Sequence, residues 1–258
     1  MHSPKDIMRR DWDARARSNA FVYIASWRND WDEAAFFESG EQDYLRLVQP
    51  ILEKLQFDPA GKSMVELGCG AGRMTRSLAR RFACVKAVDI SKEMQVRGKG
   101  YLQSFSNIEW ILTDGESLSG IASESVDFVF SYLVLQHMPS KKVVRNAVRE
   151  MMRILRHGGA FLFQFNGSTR PTMNWKGRTL TGILDGLATL GFRPASGRLA
   201  NLAGIDPGMV GKTWRGAALS SAEIAEAVRS GNALDFDFQD AGTPMAWCYG
   251  RKKAEAGV

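Results

Sequence analysis

Val65-Glu66-Leu67-Gly68-Cys69-Gly70-Ala71-Gly72 is the stretch whose reading decides the fold. Ser63 to Leu67 is a short apolar run that predicts a buried strand. The glycines then turn the chain into a helix expected over 72–82, with Met74, Leu78 and Phe82 on one side. Glycines in such a turn bend sharply and let a ligand lie against bare backbone. The first amides of the following helix have no partner within it. A dinucleotide fingerprint would need glycine where Arg73 stands. The Gly-Lys-Ser/Thr ending of a phosphate loop is absent too. Cys69 fits as a small residue in a tight turn, since no histidine lies at a motif spacing from it.

Downstream, strands and helices alternate. Strands are expected at Cys84–Val88, 107–112, 125–130 and 160–165. Ser91 can cap a helix running to about 104. Pro139-Ser140 opens another, with Val144, Val148, Met151, Met152 and Leu155 on its apolar face and Gly158-Gly159 as its stop. This alternation implies a parallel sheet covered on both faces, with right-handed crossovers. Ligands in such folds bind beyond the carboxyl ends of the strands. There the sequence places Asp89, where an acid can accept the two hydroxyls of a ribose, and Asp114-Gly115, where one can accept from an adenine amine. One carboxylate after a strand is usually a helix cap. The glycine turn and both acids in register point instead to a nucleoside ligand.

Upstream, residues 5–40 are expected to be helical and are dense in aromatics, and a clearer helix spans about 41–57 until Asp58-Pro59-Ala60-Gly61 breaks it. After Asn166 the pattern loosens, with a helix expected near 179–190. Ser220-Ser221-Ala222-Glu223 matches a capping box. Ala233–Phe238 and Met245–Tyr249 are expected as a final antiparallel strand pair. The expected division is therefore a helical lid segment at 1–57, a ligand-binding core at 58–166, a cap or insertion at 167–218, and a closing helix and strand pair at 219–258.

Composition narrows the function. The net charge of +6 is spread along the chain without the dense basic stripe of a nucleic-acid surface, so no nucleic-acid partner is expected. No apolar run approaches the ~20 residues of a membrane span. The N-terminus lacks the pattern of a secretion signal, so a cytoplasmic protein, monomer or homodimer, is expected. Cys69, Cys84 and Cys248 form no close pair and share no metal-ligand spacing with His2, His137 and His157, so no metal is expected.

The quoted turn resembles the first motif of the class I, Rossmann-like S-adenosylmethionine-dependent methyltransferases. Val88-Asp89-Ile90-Ser91 is similar to their second-strand acid, residues 125–138 to their fourth strand and its loop, and Arg153 to Gly159 to the approach to the fifth strand. The resemblance covers about residues 60–166 and the last helix and strand pair, and is closest to the small-molecule branch. It implies a doubly wound seven-stranded α/β sheet with one antiparallel strand, a helical N-terminal lid and an insertion after the fifth strand. S-adenosylmethionine is the implied cofactor. Gly68, Gly70 and Gly72, with Cys69 and Arg73 in the same turn, would face its methionine part, and Glu66 its amino group. Asp89 would take the ribose and Ile90 would lie against adenine. Asp114 and Gly115 would hold the adenine edge, with Ser131 and Leu133 near the amino-acid end.

The implied activity is methyl transfer to an O or N atom of a small organic molecule, driven mainly by proximity and orientation. His137, six residues past Ser131, is the candidate base; its plainer role is to order the loop. His157 suits a helix C-terminus, where a cation favours the free carbonyls. Trp12, Tyr23, Trp27, Trp31, Tyr132, Trp175 and Trp214 are the substrate or lid candidates. The N-terminal aromatics suit a pocket wall, a stack on adenine or a cation–π contact with a sulfonium, and equally a helix packed on the core. The Asn/Asp-Pro-Pro-Tyr/Phe tetrapeptide of amino-directed nucleic-acid methyltransferases is absent after the fourth strand, where Ser131-Tyr132-Leu133-Val134 stands. A non-catalytic, cofactor-binding regulatory protein would carry the same glycine turn; an RNA methyltransferase or a nicotinamide-dependent oxidoreductase is a more distant alternative.

Overall fold

A computed structural model describes residues 4–115, 117–168, 216–230 and 234–253, with scattered positions between 180 and 202. Strands β1 (Ser63–Leu67), β2 (Cys84–Asp89), β3 (Ile108–Leu112), β4 (Val126–Ser131), β5 (Leu155–Phe165), β6 (Leu234–Gln239) and β7 (Ala246–Lys252) form one seven-stranded sheet. Their order is β3-β2-β1-β4-β5-β7-β6. The first five are parallel; β7 enters antiparallel between β5 and β6. The order reverses between β1 and β4, the point where open α/β sheets leave a crevice beyond the strand ends.

β4 is central, and all six of its residues are buried. That is the apolar continuity of a parallel strand covered on both faces. One face packs on helices α6 (Lys141–Ile154) and α7 (Ser221–Arg229), through Val148, Met151, Ile224 and Val228. The other packs on α3 (Gln49–Lys54) and α4 (Thr75–Ala79), through Leu52, Leu78, Phe82 and Phe128. Helices α1 (Pro4–Ile24) and α5 (Lys92–Tyr101) lie against each other beside β2, and α2 (Glu33–Asp43) leads through a π-helical turn, Tyr44–Val48, into α3.

Three helix boundaries depart from the sequence reading. The single helix expected over 41–57 starts at Glu33 and changes pitch at Tyr44. The N-terminal helical stretch is interrupted at Asn19, whose backbone is extended, and by residues 25–32. Helix α6 stops at Ile154 instead of reaching Gly158-Gly159, because Leu155 already pairs with Val126 in the sheet. His157 therefore caps no helix: its Nδ1 lies 3.0 Å from the Lys253 carbonyl and its Nε2 3.0 Å from Glu124. Trp175, Trp214 and most of the 167–218 segment lie outside the described residues; the described positions at 180, 182–184, 186 and 187 are helical. Among the described residues no helix is long and apolar enough to cross a membrane.

Candidate active site

A cavity of about 340 Å³ opens at the carboxyl ends of β1, β2 and β4, within the roughly 300–1,000 Å³ of small-molecule sites. Its floor is the glycine turn. Gly68 and Gly70 both adopt positive φ, +80° and +54°. A Cβ on Gly68 would stand 2.1 Å from the Val134 side chain, so the turn has no room for a larger residue. The amides of Gly68 and Cys69 both donate to the Val88 carbonyl at the end of β2, at 2.7 and 3.0 Å.

Asp89 completes this knot. One carboxylate oxygen accepts from the Gly70 amide and the other from the Ser91 amide, each at 2.8 Å. Burial pushes its carboxyl up to about 6, against the pull of those amides. Glu66 is buried beneath the turn, accepts from the Thr75 hydroxyl at 2.6 Å, and is pushed by burial up to about 7. Burial also pushes the Cys69 thiol up, the opposite of what a nucleophilic thiolate needs. Arg73 lines the cavity with its guanidinium over the Trp27 and Tyr132 rings. One Arg73 nitrogen donates to Asp43 at 2.8 Å, while Nε is buried with no hydrogen-bond partner.

Beyond β2 and β3 the wall is made by Ile90, Thr113, Gly115, Ser117 and Leu118. A second part of the lining comes from α1 and the residues that follow it: Met8, Trp12, Tyr23, Ile24 and Trp27, with Ile24 packed close to Gly70 and Met8 close to Gly115. Buried Arg15 lies 5.2 Å from the centres of both the Trp12 and Tyr23 rings and fixes their spacing. Asp13, also on α1, accepts from the Ser91 hydroxyl at 2.7 Å and ties that wall to the β2 end. Tyr132, Leu133 and His137 close the far side, and the Trp12 ring meets His137 edge-on at 5.5 Å.

The sequence-predicted residues thus mostly converge, but four do not face the cavity. Gly72 turns away: its φ of +90° serves close packing, and a Cβ there would stand 2.7 Å from Leu102. Ser131 spends its hydroxyl on the Leu67 carbonyl at 3.0 Å. Asp114 is exposed at the rim, where it accepts from the Ser117 amide at 2.9 Å and pairs with Lys5. Trp31 packs against Phe36 and donates to the Ala25 carbonyl. Cavity residues missed from the sequence include Met8, Ile24, Thr113 and Gln136, along with Gln164, which is outside the lining and bonds Leu133 and Gln136. For Gln164 a signal existed, a polar residue inside Phe161-Leu162-Phe163-Gln164-Phe165. Among the described residues no group of His, Cys, Asp and Glu gathers as a metal site.

Residues 65–163 match a family described as a methyltransferase domain. A ubiquinone biosynthesis O-methyltransferase of Xanthomonas axonopodis pv. citri is 29% identical over 140 residues, 53% of this chain and 56% of the relative. A trans-aconitate 2-methyltransferase of Azoarcus is 29% identical over 136 residues, 52% of this chain and 50% of the relative. The chain thus spans about half the length of the curated relatives it matches. Among solved structures, phosphoethanolamine N-methyltransferase 1 of Haemonchus contortus, in complex with phosphoethanolamine and S-adenosylhomocysteine, superposes with a TM-score of 0.62 at 16% identity. That match covers 99% of this chain and 50% of the other. Magnesium protoporphyrin IX methyltransferase from Synechocystis with bound S-adenosylhomocysteine gives 0.61 at 15% identity, covering 97% and 100%. At these identities the structural likeness establishes the fold.

Proposed function

We propose, from the premise that this chain belongs through residues 65–163 to the class I S-adenosylmethionine-dependent methyltransferases, that it methylates an O or N atom of a small organic molecule. The observation that carries this reading is the cavity itself, with a backbone-lined glycine turn on one wall and aromatic side chains on the other. The ubiquinone biosynthesis O-methyltransferases among its relatives favour oxygen as the acceptor; the phosphoethanolamine N-methyltransferase keeps nitrogen in view.

The residues present suit the cofactor. Asp89 is a buried carboxylate at the end of β2 and would accept from the ribose hydroxyls, with Ile90 and Gly115 against the adenine. Gly68 and Gly70 present backbone to the methionine part. The unpartnered Nε of Arg73 is a buried donor beside the same turn and suits that part's carboxylate. Glu66 would support the amino group, directly or through water. When bound, the cofactor supplies an electrophilic methyl group on a positively charged sulfur. The protein's own contribution is alignment and exclusion of water, worth up to ~7–11 kcal/mol for well-oriented reactants. Trp12, Tyr23 and Trp27, on the N-terminal segment that we propose as the cover of the site, offer π faces to that charge and an apolar bed to the acceptor. His137 would take the proton of an acceptor that must lose one.

Calorimetry against S-adenosylhomocysteine and NADH tests the cofactor assignment. Binding of the first and not the second is expected; the reverse would overturn the reading. Transfer of labelled methyl to members of a phenol, amine and carboxylate panel then tests catalysis, with a slower rate for proton-bearing acceptors in His137→Ala.

A further inference from the structure

Gln164 is fully buried near the carboxyl end of β5, flanked by phenylalanines. A buried amide is costly unless its hydrogen bonds are made. Here they are made in one direction only. The Leu133 amide donates to Gln164 Oε1 at 3.2 Å, and Gln164 Nε2 donates to the Pro244 carbonyl at 2.9 Å. Swapping the amide's O and N would set nitrogen against an N–H and oxygen against a carbonyl, so two backbone groups fix its orientation. Gln164 Nε2 also donates to Gln136 Oε1 at 3.2 Å, which fixes Gln136 in turn. Gln136 Nε2 is thereby directed at His137 Nε2, 3.2 Å away. An amide NH₂ can only donate, so that imidazole nitrogen accepts. In a neutral imidazole the proton then resides on Nδ1.

The loop that carries this chain is held from behind. The Gly216 amide donates to the Gln136 carbonyl at 2.9 Å, and a Cβ on Gly216 would stand 2.2 Å from that oxygen. Ala217 and Val134 hold Met138 and His137 through backbone bonds of 3.0 and 2.9 Å.

We propose that Gln164 and Gln136 are positioning residues that hold His137 as the neutral, Nδ1-protonated tautomer, with Nε2 as the proton-accepting atom on the cavity wall. The proposal rests on the methyl-transfer reading above. There, an acceptor's O–H or N–H replaces the Gln136 amide at Nε2. As the acceptor's electron pair forms its bond to carbon and the carbon–sulfur pair stays with sulfur, the acceptor's proton passes to Nε2. The resulting imidazolium then presents an N–H to the Gln136 N–H, a repulsive pairing that favours release of the proton to solvent.

The test is long-range ¹H–¹⁵N spectroscopy of the full chain labelled at its histidine rings, above neutral pH, with the His137 signals assigned from His137→Ala. The expected wild-type pattern has the protonated-type nitrogen shift at Nδ1 of His137. In Gln136→Glu the carboxylate can only accept, so the proton should move to Nε2. In Gln164→Leu the Nδ1 preference should be lost. A wild-type His137 protonated at Nε2 would overturn the proposal, as would an unchanged pattern in folded Gln136→Glu. Should Gln164→Leu not fold, the partly exposed Gln136 variant decides alone. None of these readings needs cofactor. Melting shifts with S-adenosylhomocysteine on the same samples therefore report separately on the methyltransferase reading.

Discussion

The two walls of the cavity are built by different means. At the ends of β1 and β2 the chain is held by its own backbone: two amides share the Val88 carbonyl, Asp89 ties Gly70 to Ser91, and a methyl group on Gly68 has no space. On the side of α1 and the loop after β4 the work is done by long side chains, Trp12 against His137, Arg15 between Trp12 and Tyr23, and Trp27 left 55% exposed. A wall made of backbone offers one geometry and suits a ligand that never changes. A wall made of side chains can be recut residue by residue, and suits an acceptor that differs between relatives.

The sharpest way to break this contrast is Gly68→Ala. A left-handed backbone and a clash with Val134 should together lower the unfolding free energy by about 2–4 kcal/mol. Urea unfolding measures it, and a near-neutral result would show that the turn yields after all. Next comes Asp89→Ala, expected to weaken S-adenosylhomocysteine binding by ~1.5–3 kcal/mol, the range for hydrogen bonds to a charged group. Unchanged calorimetric affinity in a folded variant would remove Asp89 from the ribose site.

The buried acids sharpen the contrast through pH. Glu66 and Asp89 bind their protons more tightly in the folded chain, at about 7 and about 6, than at their ordinary values of 4.5 and 3.8. The folded state therefore holds excess protons between those limits. Stability contributed by the protonated groups is lost as pH rises through about 6 to 7. Melting temperature without ligand should fall from about pH 5 to about pH 8, and Glu66→Gln should flatten the fall. A slope identical to wild type would show that Glu66 titrates like an exposed carboxylate. The smallest effect on stability is expected on the other wall: Trp27→Ala should change it by less than about 0.5 kcal/mol, as for an exposed side chain. Its effect should appear as a raised acceptor KM, while affinity for S-adenosylhomocysteine stays the same; weakened cofactor binding would place Trp27 on the wrong wall.

The sheet from Ser63 to Phe165 was legible because buried parallel strands are written as short apolar runs between helix caps, and Ser91, Ser140 and Ser220 do cap their helices. Gly158 misled because glycine serves two purposes. Here its φ of +74° lies in β5, near a register irregularity between Val126 and Phe128, rather than at a helix end. Within the site, spacing placed residues on the right elements without fixing their direction. Ser131 and Leu133 are two residues apart, yet the first faces the Leu67 carbonyl and only the second, with φ of +60°, reaches the cavity. Gln164 escaped notice because its partners, Leu133, Pro244 and Gln136, come together only once β5 pairs in the sheet.

Helix α2 crosses the glycine turn at Gly40, where a Cβ would stand 2.1 Å from the Arg73 carbonyl oxygen. For anyone wishing to retarget this scaffold, that contact divides the molecule into what to randomise and what to leave alone. On the proposed reading, a library spread over Trp12, Tyr23 and Trp27 would sample new acceptor shapes while leaving the glycine turn, Asp89 and the Met8–Gly115 contact unchanged. The same library extended to Gly40 would mostly yield chains in which the turn itself has shifted, and screens would score them as dead for reasons unrelated to the acceptor.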